Sequence, residues 1–156
     1  MALIFCSNMF AQESASLDAS VVFRGGYNIL EKQPVTGVSL FGSVAFVRFA
    51  CSFNYAFDKN NTPFPAFSPS IGLTYGYKNE VYFMLGAQPW GVYNKKTNKM
   101  FSQDTWRMSL ELGYDIPLSR SVFFNIGAYY LLPIKDTETE HYYQNLSLMT
   151  GFGFRL

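Results

Sequence analysis

Asn145–Leu156, N-L-S-L-M-T-G-F-G-F-R-L, alternates without a break. Leu146, Leu148, Thr150, Phe152, Phe154 and Leu156 fall on one face. Ser147, Met149, Gly151, Gly153 and Arg155 fall on the other. A side-chain period of two belongs to a β-strand. The apolar face keeps its aromatics up to the last residues, where a water-exposed strand would fray. A strand that turns its oily side to lipid and its small or polar side to a barrel interior satisfies both features.

The same alternation recurs upstream. Asp104–Ile116 sets Trp106, Met108, Leu110, Leu112, Tyr114 and Ile116 against Arg107, Ser109, Glu111, Gly113 and Asp115. Ser121–Leu132 sets Val122, Phe124, Ile126, Ala128, Tyr130 and Leu132 against Phe123, Asn125, Gly127 and Tyr129. Glu80–Tyr93 carries Val81, Phe83, Leu85 and Ala87 on one face, and Pro89 marks a bulge or the end of the strand. Phe67–Tyr77 contributes Ile71, Leu73, Tyr75 and Tyr77, opposite Ser70, Gly72, Thr74 and Gly76. Gly37–Phe57 is too long for one ordinary strand and is split near Val47–Phe49. Its second half alternates Phe49, Cys51, Phe53, Tyr55 and Phe57 with Ala50, Ser52, Asn54 and Ala56. Ser16–Gly25 is the first strand, with Leu17, Ala19, Val21 and Phe23 opposite Asp18, Ser20 and Arg24.

The expected fold is therefore all-β: an eight-stranded antiparallel up-and-down transmembrane β-barrel. Strands of about 10 to 13 residues suit a tilted crossing of a bilayer. Short connections are expected near 47–49, 78–79 and 117–120, and long polar ones near 26–36, 58–66, 94–103 and 133–144. With eight strands both termini fall on the short-turn side, and Asn145–Leu156 closes the sheet against Ser16–Gly25. Tyr75, Tyr77, Tyr114, Phe152 and Phe154 are expected near the short-turn rim, and Trp90, Tyr93, Trp106 and Tyr130 near the other.

Composition agrees. Aromatic residues make up 19% of the 156 residues and charged residues only 15%. About a quarter of an ordinary globular chain is charged. The formal net charge of +1 gives no basic stripe, so no nucleic-acid partner is expected. No apolar run reaches the length of a transmembrane helix, which needs roughly 18 residues. Met1–Ala11, M-A-L-I-F-C-S-N-M-F-A, reads as the end of a signal peptide whose basic start is missing, leaving 12–156 as the barrel domain. Cys6 lies in that segment, which leaves Cys51 without an intramolecular partner.

The pattern resembles the small eight-stranded outer-membrane barrels of Gram-negative bacteria, the OmpX-like or porin-like β-barrel proteins, over residues 16 to 156. The resemblance implies that the terminal strand is read by the barrel assembly machinery. Gly151, Phe154 and Leu156 match that signal; Leu156 stands where Phe is usual and Met149 where a polar residue is. It also implies an outer-membrane location, with periplasmic termini and loops at the cell surface.

An eight-stranded barrel is just wide enough for side chains to fill it. The inward set Asp18, Arg24, Glu80, Arg107, Glu111, Asp115 and Arg155 is expected to form a paired charge network rather than a conduction path. The one histidine, His141, has no serine placed to make a hydrolytic pair. Asp136, Glu138, Glu140 and His141 match no calcium-loop spacing. No catalytic, cofactor or metal residues are assigned. Lys95, Lys96 and Lys99 form a basic surface loop suited to lipopolysaccharide phosphates. The leading function is thus a non-enzymatic outer-membrane barrel with interacting loops, whose partners are outer-membrane lipid and lipopolysaccharide. The alternatives are a barrel enzyme acting on lipid and a soluble calycin-like barrel with an apolar interior.

Overall fold

The computed structural model describes residues 17–30, 32–57, 63–76, 79–88, 107–132 and 145–156. Eight strands follow one another: β1 (Leu17–Asn28), β2 (Gln33–Val44), β3 (Val47–Phe57), β4 (Pro63–Tyr75), β5 (Glu80–Gln88), β6 (Arg107–Pro117), β7 (Val122–Leu131) and β8 (Asn145–Arg155). Each pairs antiparallel with its sequence neighbour, and β8 pairs with β1 to close the barrel. Each strand is thus paired with a neighbour on both sides, which is the condition for crossing hydrocarbon with strands. The closing ladder runs from Ser20↔Arg155 to Asn28↔Ser147, so the expected seam between the first and last strands is the observed one.

The alternation places oily and polar residues as a membrane requires. Leu112 is 56% exposed and Leu148 53%, whereas Arg24 and Glu111 are 2% and 4% exposed. Ile71, Leu73, Val81, Phe83, Leu85, Phe152 and Phe154 also face outward. Rings pack on that outer surface, with Phe53–Phe67 centroids 4.8 Å apart and Phe124–Phe152 5.4 Å apart. Burying charges while exposing leucine and phenylalanine is the reverse of a water-soluble barrel. The soluble calycin-like alternative fails on this point.

Three boundaries differ from the sequence reading. The connection expected at 26–36 is a four-residue link, 29–32, because β1 extends to Asn28 and β2 starts at Gln33. Gly26 and Pro34 looked like loop residues but lie in strands. A Cβ on Gly37 would overlap the Asn54 side chain, so that glycine makes room inside the barrel. Pro34 lies one position beyond the last β2–β3 pair, Val35↔Ala56, where no ladder donor is needed. β4 begins at Pro63 rather than Phe67, paired with β3 as far as Phe57↔Pro63.

The third difference is the split of 37–57. The turn is at Ala45–Phe46, closed by the pair Val44↔Val47, instead of at 47–49. Ala45 takes a left-handed conformation with φ 53°. Nothing in the residue types marks this, since the position would normally hold Gly or Asn. Ala45→Gly should relieve that strain and raise unfolding stability by about 0.5–1 kcal/mol in a urea titration. A loss of stability would contradict the turn assignment.

The other short connections are close to their expected places. β5 stops at Gln88, before Pro89. The turn after Pro117 is held by Ser119, whose Oγ accepts from the Ser121 and Val122 amides at 3.3 and 3.1 Å. The β2–β3, β4–β5 and β6–β7 connections lie at the same end of the barrel as the start of β1 and the end of β8. Residues 1–16, 94–103 and 133–144 lie outside the described residues, as do Tyr77, Trp90, Tyr93 and Trp106. The signal-segment, lysine-loop, acidic-loop and His141 expectations therefore have no structural counterpart here.

Candidate functional site: a charged plug across the lumen

Inward positions of six strands meet in one hydrogen-bonded network. Arg24 on β1 pairs with Glu111 on β6 and donates to Ser39 on β2; it also donates to Ser52 on β3 at 3.3 Å. The Ser39 and Ser52 hydroxyls are 2.7 Å apart. Tyr82 on β5 donates its hydroxyl to Glu111 at 3.0 Å. Asn125 on β7 donates to that hydroxyl at 2.9 Å and to Asp115 at 2.6 Å.

Asp115 carries the chain on to a second arginine. Arg48 lies 2.8 Å from Asp115 and 3.5 Å from Glu80. Glu80 in turn accepts from Arg155 at 3.1 Å. The Arg48 guanidinium packs against two rings, 4.1 Å from the Phe41 centroid and 4.2 Å from that of Tyr82. The two ring centroids are 5.7 Å apart, so the aromatic quadrupoles attract the cation from adjoining sides. Arginine suits this place because it keeps its charge and combines planar stacking with fork-shaped donation.

Three arginines, Arg24, Arg48 and Arg155, face three carboxylates, Glu111, Asp115 and Glu80. The charges balance, as a low-dielectric surround demands. Glycines make space for it: a Cβ on Gly113 would overlap the Tyr82 ring, and one on Gly153 the Phe123 ring. Apolar side chains fill what remains. Val22, Phe41, Ala50, Tyr82, Met84 and Phe123 form one buried cluster, and Val35, Tyr129, Leu131 and Met149 another.

Of the inward charges named from sequence, Arg24, Glu80, Glu111, Asp115 and Arg155 meet here. Asp18 does not join them; it is exposed near the start of β1. Arg107 is buried at the other end of β6, opposite Gln88. Arg48 went unnoticed in the sequence, because a turn placed at 47–49 removed it from the strand. Its parity with Ala50, Ser52 and Asn54 was the available signal. At the β8 end, Gly151 lies against the β1 backbone, and Phe154 and Leu156 are exposed on the outer face.

Similar folds are known. The N-terminal β-barrel domain of Pseudomonas aeruginosa OprF superposes with a TM-score of 0.63 at 12% identity, covering 92% of this chain and all (100%) of that one. The chain has the fold of a small eight-stranded transmembrane β-barrel. A de novo designed transmembrane β-barrel gives the same TM-score, 0.63, at 12% identity over 89% of this chain and 95% of the design. The Yersinia pestis outer membrane protein Ail gives 0.56 at 15% identity, over 90% of this chain and 100% of that one. No family model matches the chain, and no curated protein does.

Proposed function

We propose that the chain is a non-enzymatic protein of the bacterial outer membrane, with a sealed lumen and with surface loops that do its work. The observation that carries this reading is the plug: a charge-balanced network crossing the lumen between β1, β2, β3, β5, β6 and β7. Such a barrel is a scaffold that holds loops at a membrane surface, not a conduit for solutes. The likeness to the OprF barrel domain and to Ail supports the outer-membrane location. The end that carries the termini and short turns then faces the periplasm, and 58–62, 89–106 and 133–144 face outward.

The lysines of the outer loop, Lys95, Lys96 and Lys99, are the residues we assign to lipopolysaccharide phosphates. Gly151, Phe154 and Leu156 are assigned to recognition by the assembly machinery. Two measurements test the reading. The protein should fractionate with the outer membrane and, in planar bilayers, add no porin-scale conductance; a steady open-channel current would contradict the sealed lumen. Changing Lys95, Lys96 and Lys99 together to serine should weaken lipopolysaccharide binding, and unchanged binding removes that loop from the account.

A further inference from the structure

Gly25 interrupts the oily outer face. It is exposed on β1 between its pairing partners Thr36 on β2 and Thr150 on β8, which are exposed as well. A Cβ at Gly25 would meet nothing within 4 Å, so no neighbour fills the space above it. Side chains on one face of a strand are two residues apart. The next outward row toward the start of β1 is therefore Phe53, Val38, Phe23, Phe152 and Phe124, paired in that order across β3, β2, β1, β8 and β7. That row is a ledge built mostly of rings. The floor of Thr36, Gly25 and Thr150 lies recessed behind it, and the two rows line a groove of about 490 Å³.

Position and chemistry decide what the groove holds. It opens on the face of Phe23, Phe53 and Phe152, exposed residues that a membrane-spanning barrel turns to hydrocarbon. The groove is thus continuous with the lipid-contacting surface. It offers its occupant no charge, since the Arg24 side chain is buried in the lumen. The Thr36 hydroxyl is already donated to the Arg24 carbonyl at 3.1 Å, so only Thr150 brings a hydroxyl to the floor. A second barrel would fit poorly, because two convex walls touch along a line and a floor recessed behind rings is reached only by a protruding side chain. A flexible hydrocarbon chain can lie along the floor and touch floor and ledge together.

We propose that this groove holds one acyl chain of a membrane lipid, laid across β8, β1 and β2 over the seam where the barrel closes. The bound chain keeps contact at its side as well as beneath. It therefore exchanges with the surrounding lipid more slowly than chains lying against β5, where Val81, Phe83 and Leu85 fill the outer face. A side chain placed on Gly25 would occupy the same space and displace it.

Photolabelling of the full chain tests this, in bilayers of phosphatidylethanolamine and phosphatidylglycerol with a small share of phospholipid carrying a diazirine along one acyl chain. Labelling mapped by mass spectrometry should favour residues 36–38 and 150–152 over residues 81–85 by at least about fivefold. Equal labelling overturns the proposal. Gly25→Leu fills the groove and should bring the two sets level. It should keep the parent's heat-modifiability, because the first added carbon meets no neighbour. An excess that survives Gly25→Leu in the folded protein also overturns the proposal, since the label would not then depend on the groove. A second copy is tested in a Cys6→Ser, Cys51→Ser background. There Gly25→Cys should stay monomeric on oxidation, and a disulfide-linked dimer would assign the groove to another barrel instead.

Discussion

Glu111→Leu is expected to lower the unfolding free energy of the barrel by about 3–5 kcal/mol, measured by urea titration in lipid vesicles. The change leaves the Arg24 guanidinium buried without its carboxylate and takes the acceptor from Tyr82. A buried charge without its partner cannot recover the hydration it gave up. Replacing Arg24 as well, in the Arg24→Leu/Glu111→Leu double variant, should recover most of the loss, because the unpaired charge is gone. The Ser39 and Ser52 hydroxyls, 2.7 Å apart, still satisfy one another. The difference between the double variant and the sum of the singles measures the coupling. If Glu111→Leu is as stable as the parent, the two side chains are not paired across the lumen.

Gly151→Ala should weaken the closing seam itself. A Cβ at Gly151 would overlap Phe23 O in the β1–β8 ladder, so the strands must part or shift. Overpacking of this kind costs about 1–3 kcal/mol, and in a closed sheet the strain cannot be shed at an edge. The effect should appear in purified protein refolded into detergent, as reduced heat-modifiability and a lower urea midpoint. Leu156→Ala is the counterpart: Leu156 is 84% exposed at the end of the chain, so its loss should leave refolded stability unchanged. Any defect of Leu156→Ala should appear only in cells, as poor insertion. If Gly151→Ala refolds with parental stability and fails only in cells, the glycine serves recognition rather than packing.

How much of this was readable beforehand follows from what alternation encodes. In β6 and β8 a period of two, with Leu110, Leu112 and Leu148 against Glu111, Gly113 and Ser147, is enough to give both strand and face. The turn at 118–121 was readable because Pro117 and Ser119 are turn residues. Ala45 hid its turn because alanine rarely adopts positive φ, and this one misplacement also hid Arg48. Gly26 and Pro34 suggested a loop, because the close approach that favours glycine at 26 and the ladder end that tolerates proline depend on neighbouring strands. The pairing of Arg24 with Glu111, and of Arg48 with Asp115, was not readable at all. Alternation says that a side chain points inward, but the stagger of the closed sheet decides which inward side chains share a level.

The central claim is that the face carrying Phe49, Cys51 and Phe53 looks into lipid while Ala50, Ser52 and Asn54 look into the barrel. Cys51 is exposed on that outer face and is a free thiol. A nitroxide attached to Cys51 in the Cys6→Ser protein, reconstituted in bilayers, reads its surroundings by paramagnetic relaxation. The account predicts strong relaxation by oxygen, which concentrates in hydrocarbon, and little by a water-soluble nickel complex. Relaxation by nickel as strong as in the urea-unfolded chain would place Cys51 in water and contradict the membrane-spanning barrel.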